Sequence, residues 1–244
     1  MSGSIALGPM LAIVLVALTA LGTVVVWRGE LGRGRAVVIA AVRAVAQLAA
    51  VSFVITAILR SGWWTGLFVL LMFAVAAVTS ARRVGVRLGG IAVAIGGGVL
   101  PVLALVLGTG VLPWKPISVV PIAGIVIGGA MSATSQAARR ALDELKTRHG
   151  EYEAALALGF MRRAAALEIC RPSAGQALIP ALDQTRTVGL VTLPGAYVGV
   201  LLGGASPVQA GVTQVLVLIG LLAAESIAVL LVVQFVAAGL LARD

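Results

Sequence analysis

Five stretches of this chain run without a single charged side chain: Met1 to Trp27, Ser61 to Ala81, Leu88 to Trp114, Pro116 to Ala138 and Thr187 to Ala224. Most exceed the roughly 20 residues that carry a helix across a bilayer. Leu, Ile, Val and Ala fill them without period-2 alternation, which argues against a β-barrel. In lipid the backbone must then satisfy its own hydrogen bonds as helices. Composition agrees, with 60% hydrophobic and 11% charged residues, against roughly 45–50% and about 25% in soluble domains. The predicted fold class is an all-α membrane protein.

Seven transmembrane helices are expected, at about 6–27, 36–59, 63–81, 89–112, 117–138, 178–202 and 208–241, forming a single transmembrane domain over residues 1–244. The net charge of +9 would suggest nucleic acid for a soluble chain. Here the positive charges fall in loops, where they orient helices in membrane lipid, so no nucleic-acid partner is expected. The first, third and fifth loops and the C-terminus hold 14 of the Arg and Lys residues, whereas the remaining loops hold only Arg60 and Lys115. That bias predicts a cytoplasmic C-terminus and an external N-terminus. The first segment lacks a basic leader and is longer than the about 7–15 apolar residues of a signal peptide, so it reads as a retained helix. Gly and Pro clusters sit where turns are needed, at Gly32 and Gly34, Ser61 and Gly62, Pro113 to Pro116, and Gly203 to Pro207. Helix six is the exception: Pro194 and Gly195 lie inside it, predicting a kink or a break with Pro194, Gly195 and Gly199 as its hinge.

The fifth loop, residues 139–177, is the one substantial polar stretch, and it reads as two or three short cytoplasmic helices. It contains Glu153-Ala-Ala-Leu-Ala-Leu-Gly159, then nine residues to Ile169, then Cys170-Arg171-Pro172. Ala154, Ala155 and Leu158 offer a small flat helix face. Gly159 lets the chain turn into a second helix near Arg162 and Arg163. Such a protrusion suits a partner's groove, and an amphipathic helix lying on the inner leaflet is the plainer alternative. The spacing resembles the coupling-loop signature of ABC importer-type permeases, E-A-A-x-x-x-G followed by nine residues and I-x-L-P, with Arg171 in place of the usual Leu.

No engine is encoded alongside this loop. A phosphate-cradling P-loop needs Lys directly after Gly, and the only lysines are Lys115 after Trp and Lys146 after Leu. The chain is therefore expected to be a transport subunit rather than an enzyme and to hold no cofactor, with ATP and Mg bound by a separate ABC ATPase. Two copies about a central two-fold axis are the economical assembly, giving a 2+2 complex. One cysteine and one histidine exclude an internal disulfide and a multi-Cys/His zinc site.

Polar groups at bilayer depth are the remaining candidates. Arg43 and Gln47 lie one turn apart on helix two, and Glu225 sits near the middle of helix seven. By rise per residue, Arg43 is roughly 10 Å and Glu225 roughly 15 Å in from the cytoplasmic side. A structural Arg43–Glu225 ion pair and a cation or proton site at Glu225 are both open readings. Ser132, Thr134, Ser135 and Gln136 are pathway candidates or ordinary helix-packing groups.

Over most of its length the chain resembles the FetB/YbbM-type ABC transporter permease family, which includes plant aluminium-tolerance permeases. The resemblance rests on Arg43 to Leu48, Met131 to Ser135, the Glu153 loop, and the run from Thr187 through Gly199 to Pro207. It implies an ABC permease with a FetA-like ATPase partner and a role in iron export, metal homeostasis or stress resistance. The family commonly has Asn at positions held here by Gly129 and Ser132, and Met and Gln around Ala196, Tyr197 and Val200, which leaves the metal ligands unknown. Alternative functions are an ABC permease for an organic solute such as a sugar nucleotide, or a proton-coupled secondary transporter using Glu225.

Overall fold

The computed structural model describes residues 8–58 and 62–243. The expected ends of helix one at residue 6 and of helix two at residue 59 lie outside the described residues, as do Arg60 and Ser61. Among the described residues there are ten α-helices and one short 3-10 turn, with no sheet. Six of the helices are long and apolar enough to cross a membrane. The chain divides into two compact units after Ile58.

The first unit is a hairpin of α1 (Pro9–Arg28) and α2 (Gly34–Ile58). Its turn is made by Glu30 and Gly32, both at positive φ, a conformation glycine adopts freely. The hairpin is apolar on nearly all sides, which is what a helix immersed in lipid presents.

The second unit is built on four long helices: α3 (Gly62–Val84), α4 (Leu88–Gly108), α5 (Pro116–Thr147) and α10 (Pro207–Ala237). Between the last two come α6 (His149–Ala157), α7 (Arg162–Gly175), a 3-10 turn (Gln176–Leu178), α8 (Ile179–Thr187) and α9 (Gly195–Leu202). Pro occupies the first position of both α5 and α10, where its fixed φ helps and its missing N–H costs nothing. The start of α10 adds a capping box: Gln209 N–H donates to Ser206 Oγ at 3.3 Å, and Ser206 N–H donates to Gln209 Oε1 at 3.1 Å.

Helix ends differ from expectation for local reasons. The fourth expected helix stops at Gly108 instead of 112, because Gly110 turns to φ +71 and Trp114 Nε1 donates to the Leu107 carbonyl at 2.9 Å. The last helix stops at Ala237 instead of 241, where Gly239 at φ +72 closes a Schellman turn with Leu240 N–H donating to the Phe235 carbonyl. The fifth instead runs nine residues beyond 138, to Thr147.

Contacts fix how these helices run. Ser80 meets Ser135, and Arg139 donates to the Arg83 carbonyl, so α3 and α5 are parallel. A side chain at Gly129 would strike Leu221 and Glu225, and Arg243 pairs with Asp143 at 2.6 Å, so α5 and α10 are parallel too. Gly90 lies against Leu241 and Gly98 against Ala224 and Ala228, which sets α4 antiparallel to α10. Arg82, Arg83, Arg139, Arg140 and Arg243 thereby gather at one end of this unit.

With α5 and α10 parallel, the chain between them must return to the opposite end. It does so in two pieces. The N-terminus of α7 is tied to Gln234, since Arg163 donates to its Oε1, whereas α9 is tied to Gln214 by the Tyr197 N–H. Those two residues of α10 are separated by about 30 Å of helix rise, the thickness of a bilayer's hydrocarbon core. The expected sixth span is thus a broken one, with residues 188–194 non-helical between α8 and α9. Pro194 bars Leu193 from helical geometry, Val188 is extended, and Gly189 sits at φ +82. The Thr187 carbonyl, accepting from Val191 N–H at 2.9 Å, holds the turn.

Candidate functional site

Three regions carry the groups singled out by sequence. The first is the corner between α6 and α7. Helix α6 ends in a Schellman motif: Phe160 N–H donates to the Ala155 carbonyl at 3.0 Å, and Gly159 N–H donates to the Leu156 carbonyl at 2.9 Å. Gly159 takes φ +92, so the sharp turn expected there is present. Met161 is extended and forms the N-cap of α7. The corner displays Leu158 and Met161, each 81% exposed, together with Phe160 at 50%. Apolar side chains standing so far out at a polar end of the molecule are the informative kind of exposure. Glu153 is exposed one turn before, with its Oε1 at 3.5 Å from His149 Nδ1, and Ala154 and Arg162 are exposed as well, while Ala155 is half-buried.

The corner stands on a firm base. Ala165, Ala166, Ile169, Cys170 and Ala174 form the buried stripe of α7. Cys170 Sγ lies 3.6 Å from the Ala141 carbonyl of α5. Burial and, secondarily, the nearby Glu144 charge push the Cys170 thiol up to about 11. Arg148, where α5 gives way to α6, reaches Glu151 and, at 3.5 Å, Glu144. Its hydrogen bond to Glu151 raises the guanidinium's affinity for its proton and holds the Glu151 carboxyl below the usual range. Arg171, the departure from the importer-type signature, is exposed beside an exposed Pro172. No packing depends on Leu at that position.

The second region is the seam between α5 and α10. Glu225 is 6% exposed. Gly129 makes room for it: a Cβ there would sit 2.6 Å from Glu225 Oε1 and collide with Leu221. Within its own unit Glu225 has no hydrogen-bond or ion-pair partner among the described residues. Ser132 and Gln136 are half-buried one and two turns along the same face of α5 as Gly129. Thr134 is fully buried and its Oγ1 has no partner among the described residues. Ser135 Oγ lies 2.8 Å from both Ser80 Oγ and the Met131 carbonyl. Its single proton serves one of them, so Ser80 donates to Ser135 when Ser135 donates to the carbonyl. That bond ties α3 to α5. Arg43 and Gln47 belong to the first unit, where both are exposed on one face of α2.

The third region is the break in the sixth span. Of its expected hinge residues, Pro194 is the N-cap of α9, Gly195 its first residue, and Gly199 lies within it with open space where a side chain would be. Pro194 has no side-chain donor or acceptor to cap the helix. The buried Gln214 of α10 does so instead, its Oε1 accepting from the Tyr197 N–H at 3.2 Å. Gln214 escaped the sequence reading, although its spacing was a usable signal: it precedes Glu225 by eleven residues, three helical turns, and so shares its face.

Spanning-length apolar helices, a basic end and acidic and amide groups buried between helices define a polytopic membrane protein with the build of a transporter. Residues 9–241 match the Uncharacterised protein family (UPF0014), and the chain belongs to that family. It is 32% identical to the UPF0014 membrane protein STAR2 of Oryza sativa subsp. japonica over 88% of this chain and 77% of that protein. It is 34% identical to the protein ALUMINUM SENSITIVE 3 of Arabidopsis thaliana over 72% of this chain and 66% of that one. It is 33% identical to the "Probable iron export permease protein FetB" of Escherichia coli (strain K12), over 58% of this chain and 54% of that protein. No solved structure matches the chain.

Proposed function

We propose that this chain is the permease subunit of an ABC transporter, driven by a separate ATPase that docks on the corner from Leu158 to Arg163. The observation that carries the proposal is an apolar tip held out by a Schellman turn on helices locked to the bundle. A tip that merely lay on lipid would not need a rigid base. Here α7 is packed along α5 and bonded through Arg163 to Gln234 of α10, so a push on the corner reaches the α5–α10 seam as rigid-body motion. The Arg-rich end of the second unit is the cytoplasmic side by the positive-inside rule. Two copies with two ATPases, ATP and Mg bound in the latter, complete the assembly.

The description of FetB as an iron export permease favours a cation as cargo and outward movement. The buried Glu225 favours the same cargo class. A proton-coupled secondary transporter using Glu225 is the second reading. Co-expression with a candidate ABC ATPase separates the two. The ABC assignment expects co-purification that Leu158→Asp abolishes. Transport by the lone chain in liposomes, driven by a pH gradient without ATP, would overturn it.

A further inference from the structure

We propose that Glu225 is an ion-exchange carboxyl, neutral while the α5–α10 seam is closed and a binding group for a cationic solute when the seam parts. It rests on the transport reading above, though not on ATP as the driving force.

The case begins with what surrounds the side chain. Glu225 is buried at the seam, and its carboxyl has room there because residue 129 has no side chain. Helix α4, which packs on the other flank of α10, carries no ionisable residue from Leu88 to Gly108. On α5 the charged groups begin at Arg139, about 15 Å further along the helix. Those of α7, Arg162, Arg163, Glu168 and Arg171, stand at the far end of α10, where Arg163 is engaged by Gln234. On α8, Asp183 and Arg186 face each other at 3.8 Å, and α9 offers only Tyr197. With no charged group of its own unit beside it, the carboxyl is better accommodated in the closed seam as the acid than as the anion.

The donor set then decides what the site can take. Among the described residues, no three His, Cys, Asp or Glu side chains cluster to hold a metal ion. One carboxyl cannot replace the hydration shell of a divalent cation, which takes six or more oxygens. A hydrated cation can be held only when water enters, and Ser132 and Gln136 supply oxygens along the face of α5 that leads from Gly129 towards the basic end.

The exchange balances in atoms and charge. On opening, the carboxyl O–H breaks, its electron pair stays on the oxygen and the proton passes to water as hydronium. The carboxylate pairs with the cation. On closing, hydronium returns a proton to the carboxylate and the cation leaves with its hydration water.

The test uses the full chain in nanodiscs without any ATPase. Difference infrared spectra at neutral pH should show a protonated-carboxyl band that disappears in Glu225→Gln. In weakly buffered wild-type protein, adding Mn(II), Fe(II) or tetramethylammonium should release protons, and the effective probes identify the cation as metallic or organic. Proton release absent for every cation, or a resting protein lacking the band, overturns the proposal, and both of these results are read on wild-type protein. Recovery of expression in an Arg43→Glu, Glu225→Arg double variant, lost in both single variants, would overturn it in favour of a structural ion pair. Because no ATPase is present, these results stand apart from the ABC assignment: cation transport by the lone chain without ATP sinks the latter alone.

Discussion

Glycine does opposite jobs in the packed bundle and at the α6–α7 corner. In the α4–α10 packing, Gly98 lies so close to the Ala224 carbonyl that an added Cβ would overlap a backbone atom. At the α6–α7 corner, Gly159 has open space around it but takes φ +92. One position is limited by room, the other by backbone conformation. Gly98 is therefore intolerant of any side chain, while the corner tolerates size and resists only the loss of a left-handed turn. Close approach through small residues is how membrane helices associate when lipid removes the hydrophobic drive between them. A Schellman corner, by contrast, needs no neighbour.

The largest expected effect is therefore at Gly98. Gly98→Ala forces the backbones of α4 and α10 apart, since a carbonyl cannot rotate away as a side chain can. Overpacking of this kind costs about 1–3 kcal/mol or more. Loss of monodisperse protein after detergent extraction checks it. Gly129→Ala sharpens the contrast, because its added methyl meets the Leu221 and Glu225 side chains, which can shift. It should retain more folded protein than Gly98→Ala, and equal loss in the two would break the distinction between backbone and side-chain clashes.

Gln214→Ala comes next. It leaves the Tyr197 N–H without its acceptor in a partly buried setting, at a cost of about 1 kcal/mol. The loss should be local, detected as faster amide exchange in α9 with α4 and α5 unchanged. Gly159→Ala follows, with about 1–2 kcal/mol for placing a Cβ in the left-handed region. Its signature is a split between yield and function: expression persists while stimulation of the proposed partner ATPase falls. Gly159→Asn should recover part of that stimulation, because Asn tolerates the same backbone angles.

How far the sequence revealed this architecture depends on what kind of force made each part. Apolar runs and Arg bias announce spans and loops because they reflect transfer between water and lipid, which is a property of a segment by itself. Gly159 was legible for a similar reason: a helix stop is local. The split of the sixth span was visible as Pro194-Gly195, yet the completeness of the break was not, since it depends on Gln214 reaching across from another helix to cap α9. Phe160 and Met161 read as ordinary apolar residues until the turn set them outward. Ser80 and Ser135 lie 55 positions apart, and no spacing rule joins them. Glu225 stood out for its charge, while Gly129, which houses it, was noticed only as a departure from the family's usual Asn.

A thiol probe tests how firmly the corner is based. Cys170 is fully buried on the face of α7 that packs on α5, and its thiol is pushed up to about 11. Labelling of folded protein at neutral pH should be slow, limited by detachment of α7 from α5, and should become fast in denaturant. Linkage has a definite sign here. Above an ordinary thiol's pKa of about 9 the unfolded chain loses the proton that the folded chain keeps, so stability conferred by this site falls as pH rises from about 9 towards 11. Rapid labelling of native protein at pH 7 would mean that α7 is loosely held, and the corner could not then transmit force.

Arg171→Leu restores the importer-type signature and should do the least. The side chain at 171 is exposed, one residue beyond the buried Cys170, so neither residue type contributes packing and the change in stability should stay within about 0.5 kcal/mol. An exposed Leu also adds apolar surface on the side of α7 turned away from α5, so a small gain in detergent or lipid binding is admissible while loss of fold is not. If the groove of the proposed ATPase extends beyond the Leu158–Arg163 corner to reach residue 171, the substitution would alter coupling without altering stability. Stimulated ATPase activity measured beside thermal stability separates the two outcomes, and unchanged values of both would confine the docking surface to the corner itself.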